Sequence, residues 1–252
     1  GGDRGVYAST DNGTTWNRVL AGDNDTTGAV DLAIDPTNPN RVYAALWDHL
    51  REPDLRTYGG LGSGVYRTTD GGSTWQRLTN GLPAAASTNG RIGLALAPSN
   101  PQRLYVIANL TSGFFQGFYQ SDNGGDSWTK LPTSSTLSGA QSSYGWWFGR
   151  VWVDPLDQTH VFAGGVSLCG SKNSGSTLTS EVGPTAGEHP VAWDLKVPAR
   201  ASPGTGATSH RDVPNDPGAN ERPAPRTVEA PMLQPSMGLD PDRFSLLKKP
   251  LR

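Results

Sequence analysis

The sequence is poor in the residues that staple, anchor or steer a chain. It has one cysteine, Cys169, in 252 residues, which excludes an internal disulfide framework and a cysteine-based zinc site. No apolar run approaches membrane-spanning length, so no membrane span is expected. Charge of one sign is also missing. Lys and Arg number 21 against 23 Asp and Glu, and no basic cluster breaks the balance, which removes the electrostatic footprint of a nucleic-acid binder. Signal peptide and initiator methionine are both lacking, and the true N-terminus is expected to lie upstream. Helical periodicity is absent throughout. Glycine (32) and proline (20) are plentiful instead, as in a chain of many turns. The length permits one or two domains.

One octamer organises what is present. Thr68 to Trp75 reads Thr-Thr-Asp-Gly-Gly-Ser-Thr-Trp, between two short alternating runs, Gly64–Arg67 and Thr74–Leu78. Asp70-Gly71-Gly72 is a tight hairpin signal. The aspartate can accept hydrogen bonds from backbone N–H groups ahead of it, and glycine supplies positive φ without steric cost. Trp75 adds a large apolar anchor. The pattern Ser/Thr-x-Asp-x-Gly-x-Thr-Trp recurs in full as Ser9, Asp11, Gly13 and Trp16. Ser121, Asn123, Gly125 and Trp128 repeat it with Asn for Asp, and Ser171 to Leu178 is a worn copy with Asn173 and Leu178.

These octamers resemble the Asp-box, or BNR, repeat of β-propellers, found in bacterial sialidases, xyloglucan-cleaving glycosidases and sortilin-type receptors. The likeness is greatest to secreted bacterial BNR-repeat proteins labelled glycosyl hydrolase or sortilin-like, and covers roughly residues 1–195. It implies an extracellular or cell-envelope location. It also implies that Asp11 and Asp70 cap turns between the third and fourth strands of their blades, away from the ligand face. Trp16, Trp75 and Trp128 then pack rather than bind.

A second motif alternates with the first: Asp31–Pro36 then Arg41–Ala45, Gly93–Pro98 then Arg103–Val106, Arg150–Pro155 then His160–Ala163. Each reads as strand, Pro-containing turn, strand. Joined to the following octamer hairpin, it makes a four-stranded antiparallel meander with a period of roughly 50–60 residues, in the range of propeller blades. The expected fold is all-β, a β-propeller fragment: a half blade at 5–20, blades at about 30–79, 90–131 and 148–180, and the start of another at 190–195. The innermost strands carry small residues on one face, Ala33 in one and Gly93, Ala95 and Ala97 in the next. After Asp194 the pattern stops. Residues 198–252 hold ten of the prolines and a single aromatic, Phe244. Residues 196–252 are therefore assigned no fold, with a disordered tail and an out-of-frame segment both open.

Functional candidates gather in the long connections at the other end of the strands. Trp47 to Tyr58 concentrates Trp47, His49 and Arg51 with three carboxylates, Asp48, Glu52 and Asp54, enough for acid–base chemistry or for binding a polar ligand. Solvated, mutually paired charges would explain the same residues. Arg91 and Arg150 precede or begin innermost strands. Sialidases hold a carboxylate with three such arginines, but no third arginine and no Tyr/Glu nucleophile pair is assignable here. Tyr144-Gly-Trp146-Trp147-Phe148 could stack on a glycan or plug the gap between blades. Glu188, with His189 and Trp193, matches an acid often seen in related proteins. Asp23–Gly28 begins like a calcium loop, but Ile34 stands where the closing glutamate belongs. No metal or cofactor is implied, and the oligomeric state is not legible. The favoured function is a binding or scaffold module for glycan or protein ligands. A glycoside hydrolase, which needs two carboxylates about 5–10 Å apart, and a sortilin-like peptide receptor are the alternatives.

Overall fold

Each octamer folds its flanking segments into an antiparallel pair through the same hydrogen bonds. In the second copy Thr68 Oγ1 donates to Asp70 Oδ1 (2.7 Å) and accepts from Gly72 N (2.9 Å), while Thr74 donates its N–H (2.9 Å) and hydroxyl (2.6 Å) to the Asp70 carboxylate. Ser9 and Asp11 make the same set. Asn123 and Asn173 reproduce it with an amide, Oδ1 accepting and Nδ2 donating. The glycine two residues past the acid sits at φ +97° in the second copy, a conformation that side chains disfavour.

The computed structural model describes residues 3–132, 135–181 and 245–247. They belong to one compact unit of the chain, and a second unit, Pro184–Leu239, lies outside the described residues, as do Glu188 and the expected strand at 190–195. The first octamer joins β1 (Gly5–Ser9) to β2 (Asn17–Ala21). A full sheet follows, β3 (Thr27–Ile34), β4 (Val42–Asp48), β7 (Gly64–Thr68) and β8 (Gln76–Leu78), its middle connection carrying a small hairpin, β5 (Leu50–Arg51) and β6 (Arg56–Thr57). The next sheet is β9 (Asn89–Leu96), β10 (Leu104–Leu110), β11 (Phe115–Ser121) and β12 (Thr129–Lys130). Two short helices, α1 (Ser135–Gln141) and α2 (Gly145–Phe148), precede the last, β13 (Arg150–Val153), β14 (Val161–Gly164), β15 (Leu168–Ser171) and β16 (Thr179–Glu181). All three sheets are antiparallel meanders in chain order. β17 (Ser245–Leu247), inside the segment to which the sequence gives no fold, pairs with β1 on the edge opposite β2.

The core lies between successive sheets. Tyr43, Ala45 and Trp47 of β4 pack with Ile92, Leu94, Val106 and Trp128 of the following sheet, whereas Ala44 and Leu46, on the other face of β4, pack with Val6, Val19 and Leu20 of the β1–β2 hairpin. Tyr105, Ile107 and Phe118 meet Val151, Val161 and Leu178 in the same way. Second strands are thus covered on both faces, and β4 is buried from end to end. The first strands β3, β9 and β13 lie side by side along one groove. Gly93 is required there, because a Cβ would fall 2.9 Å from Gly149 O and 3.1 Å from Arg150 Cα. These are propeller blades with the first strand innermost. Two short helices accompany the expected all-β sheets; at seven and four residues they are too short to show a period.

Candidate functional site

Strand alternation at the end of β4 decides which side chains reach the ligand face. Trp47 and His49 project together, their rings stacked at 4.1 Å, and Trp47 Nε1 donates to Tyr58 O (2.8 Å). Tyr58 lies 4.4 Å from Trp146, and Trp147 stands edge-on to Trp146 at 5.5 Å. A continuous aromatic wall therefore joins the β4–β7 connection to the helical insertion before β13. Beneath it is an open cavity of about 690 Å³, lined by Trp47, His49, Arg51, Glu52, Pro53, Arg56, Arg91, Trp147 and Arg150.

Asp48, between Trp47 and His49, points away from this cavity. Its carboxylate accepts from Thr26 Oγ1 (2.5 Å) and Asn24 Nδ2 (3.0 Å), its N–H donates to Ser63 Oγ (3.1 Å), and Gly60 closes over it. It staples two connections together and is not among the residues lining the cavity. Asp54 is exposed in the β5–β6 turn and does not line the cavity. Of the candidate acids among the described residues only Glu52 does. Trp146 is half-buried behind Trp147, packed on Tyr58.

Arg91 is the most unusual group in the site. It is 8% exposed, its guanidinium carbon lies 5.7 Å above the Trp47 ring, and its Nε has no hydrogen-bond partner among the described residues. Burial, and then the neighbouring Arg150, lower its pKa to about 10, with Asp31 opposing through space. His49 is also pushed down, by burial first and then by Arg4, Arg51 and Arg91, which keeps its ring neutral at pH 7. Four arginines and one carboxylate thus line a single cavity. It can hold an anionic or polar group against an aromatic surface; a two-carboxylate hydrolytic pair is not among its lining residues. Nor do three or more His, Cys, Asp or Glu side chains converge anywhere among the described residues.

Three residues outside the named site candidates support the site. Arg4 Nη1 donates to Thr26 O (2.6 Å) and His49 O, tying the hairpin edge to the base of the loop. Arg56 reaches the cavity through the β5–β6 turn. Asn109, fully buried in β10, seats α2, where a Cβ at Gly145 would lie 2.1 Å from its Oδ1 and one at Gly149 2.2 Å from its Nδ2. None sits in a local motif. The short glycine spacing around Trp146 and Trp147 is the one signal that could have pointed to a close approach.

Fold and turns define a propeller of the Asp-box, or BNR, type. Residues 4–144 match the Sortilin-Vps10 family, described as sortilin, neurotensin receptor 3, and the chain belongs to that family. It is also similar to a xyloglucanase of Paenibacillus sp., 26% identical over 179 residues, covering 68% of this chain and 15% of the xyloglucanase. Among solved structures it resembles an ancestral GH74 enzyme (TM-score 0.51, 19% identity, 73% of this chain and 22% of that one). The GH74 xyloglucanase of Xanthomonas campestris has a TM-score of 0.49 at 21% identity, over 68% of this chain and 24% of that one. The chain spans less than a quarter of the length of each of these relatives.

Proposed function

We propose that these blades belong to an extracellular or cell-envelope propeller that binds a glycan in the cavity beneath the Trp47–Trp147 wall. The observation that carries this reading is the convergence of an exposed indole with four arginines, of which Arg91 is buried. Trp147 is 51% exposed, although its neighbours pack it into a fixed orientation. Sugar rings offer an apolar face and a polar edge, and such a ligand suits an aromatic platform bordered by donors. Binding rather than hydrolysis is favoured because Glu52 is the one acid in the lining among the described residues, while glycoside hydrolysis with two carboxylates needs a partner across the bond. Similarity to xyloglucanases supports a carbohydrate ligand over a peptide.

The test is retention of the whole chain on a panel of immobilised polysaccharides, with reducing-end release followed in parallel. Retention without release is expected, and Trp147→Ala should weaken it roughly tenfold or more, as removal of a central aromatic anchor does, at unchanged melting temperature. A chain that ignores every polysaccharide but binds peptides would overturn the reading. Release of reducing ends abolished by Glu52→Gln would replace it with hydrolysis.

A further inference from the structure

We infer that this cavity selects polysaccharides bearing repeated negative charges, uronate carboxylates or sulfates, with Arg91 and Arg150 holding one anionic group and the loop arginines the next along the chain. The inference rests on the glycan reading above and narrows it. Its physical basis is the state of Arg91. A buried guanidinium normally has an acid in contact or a full set of acceptors, because desolvation of an unpaired charge is costly. Among the described residues Arg91 has neither: its Nε is without a partner, no ion pair involves it, and the cation Arg150 acts on it from the same cavity. Asp31 acts on it only through space, with one carboxylate oxygen already accepting Leu94 N at 3.2 Å. Buried Arg91 and exposed Arg150 line one cavity and repel each other until an anion lies between them. A carboxylate or sulfate supplies that charge with several oxygens, and the fork of each guanidinium can pair with two of them.

The distribution of the remaining charge argues for a polymer rather than a single acidic sugar. Arg51 and Arg56 sit opposite each other in the β5–β6 hairpin, are exposed, and line the same cavity. Together with Arg91 and Arg150 they lie along one face of the aromatic wall. A ligand with one charge satisfies Arg91 and Arg150 and leaves the loop arginines unused. A chain with an acid on successive residues satisfies both while its rings lie on Trp147.

The experiment measures binding of the whole chain to polygalacturonate, to dextran sulfate, and to neutral dextran and xyloglucan, at low and at high salt. Both acidic polymers should bind at least tenfold tighter than neutral ones at low salt and lose that margin at high salt. A uronate monomer should bind far more weakly than its polymer. Preference for one polymer over the other distinguishes carboxylate from sulfate. Arg150→Gln, at an exposed position, should reduce acidic binding about tenfold and neutral binding by clearly less. Arg91→Gln should do the same at a melting temperature no lower than the parent's, because it removes an unpaired buried charge. Equal binding of neutral and acidic polymers would overturn the charge selection and leave the glycan reading standing. Absence of binding to any polysaccharide would overturn both. Arg91→Gln that lowers the melting temperature, with neutral and acidic binding falling together, would make Arg91 a structural residue and defeat the inference.

Discussion

Asp70 and Asn123 occupy the same place in two copies of one turn, and the difference between them is a charge with no change in shape. Asp70 accepts from Thr68 and twice from Thr74, whereas Asn123 accepts from Ser121 and the Ser127 N–H and donates to the Ser127 hydroxyl. Asp70→Asn should therefore be tolerated. Asp70→Ala leaves the Thr74 N–H without its acceptor and should lower stability modestly, like loss of a helix N-cap, with glycan binding intact. Chemical denaturation read against polysaccharide binding checks both. The pH dependence follows from the same bonds. Thr15 hydroxyl and N–H, then Ser9, lower the Asp11 pKa from 3.8 to about 2. A folded-state pKa below the unfolded one stabilises above the unfolded value and stops doing so as pH falls through the folded one. The cap at Asp11 should thus weaken between about pH 4 and pH 2, Asp70 should behave alike, and Asn123 and Asn173 should show no such change. Proton-linked exchange of the Thr15 and Ser127 amides across that window separates the two kinds of turn.

Helix α2 holds the exposed tryptophan, and two glycines hold the helix. Gly145 N donates to Gly113 O (2.8 Å), and no side chain fits at Gly145 beside Asn109. Gly145→Ala should push α2 off β10, displace Trp146 from Tyr58, and cost polysaccharide affinity about as much as Trp147→Ala. Its melting temperature should fall by only a few degrees, because, of α2, only the partly buried Trp146 packs against the core between the sheets. Intrinsic tryptophan fluorescence and binding test this together, and a variant with unaltered fluorescence and full affinity would contradict it. At this scale the sequence was legible where structure is local. Octamers announce their hairpins because acid, hydroxyl and glycine lie within a few residues of each other. The cavity was readable only in outline: Trp47, His49, Arg51, Glu52, Arg91, Trp147 and Arg150 were all candidates, but their convergence depends on long-range packing. That Asp48 lies outside the cavity lining could not be read from the sequence. β4 is buried on both faces and carries apolar residues on both, so no alternation marks which side the last three residues take. Asn109 and Arg4 act across sheets and left no pattern.

Between whole blades, the second strand carries a polar device that repeats. Tyr43 Oη donates to Gly124 O (2.8 Å), in the octamer turn of the following sheet, and Tyr105 Oη donates to Gln158 O (2.8 Å), in a turn of the sheet after that. Arg67 reinforces the first junction by donating to Gly124 O and pairing with Asp126 at 2.6 Å. Arg103 reinforces the second through Ser174 Oγ (2.9 Å). Phe162 stands at the equivalent place in β14 and has no hydroxyl to donate. The octamer turns therefore do two jobs, closing their own hairpin and accepting from the preceding blade. Their position at the end of the strands opposite the cavity allows that second role without touching the ligand face. Radial packing is set by these latches as well as by the apolar clusters between sheets. Tyr43→Phe leaves Gly124 O to Arg67 alone and keeps the ring in its core, so it should cost about 0.5–1.5 kcal/mol. Tyr105→Phe should cost a similar amount, and the double variant should lose close to the sum, since the junctions share no partner. Polysaccharide affinity should not change. Denaturant unfolding of the two single variants and the double variant measures this. A double variant that unfolds in two steps would show the blades uncoupling, and affinity falling with stability would mean that the latches also shape the cavity at the far end of the strands.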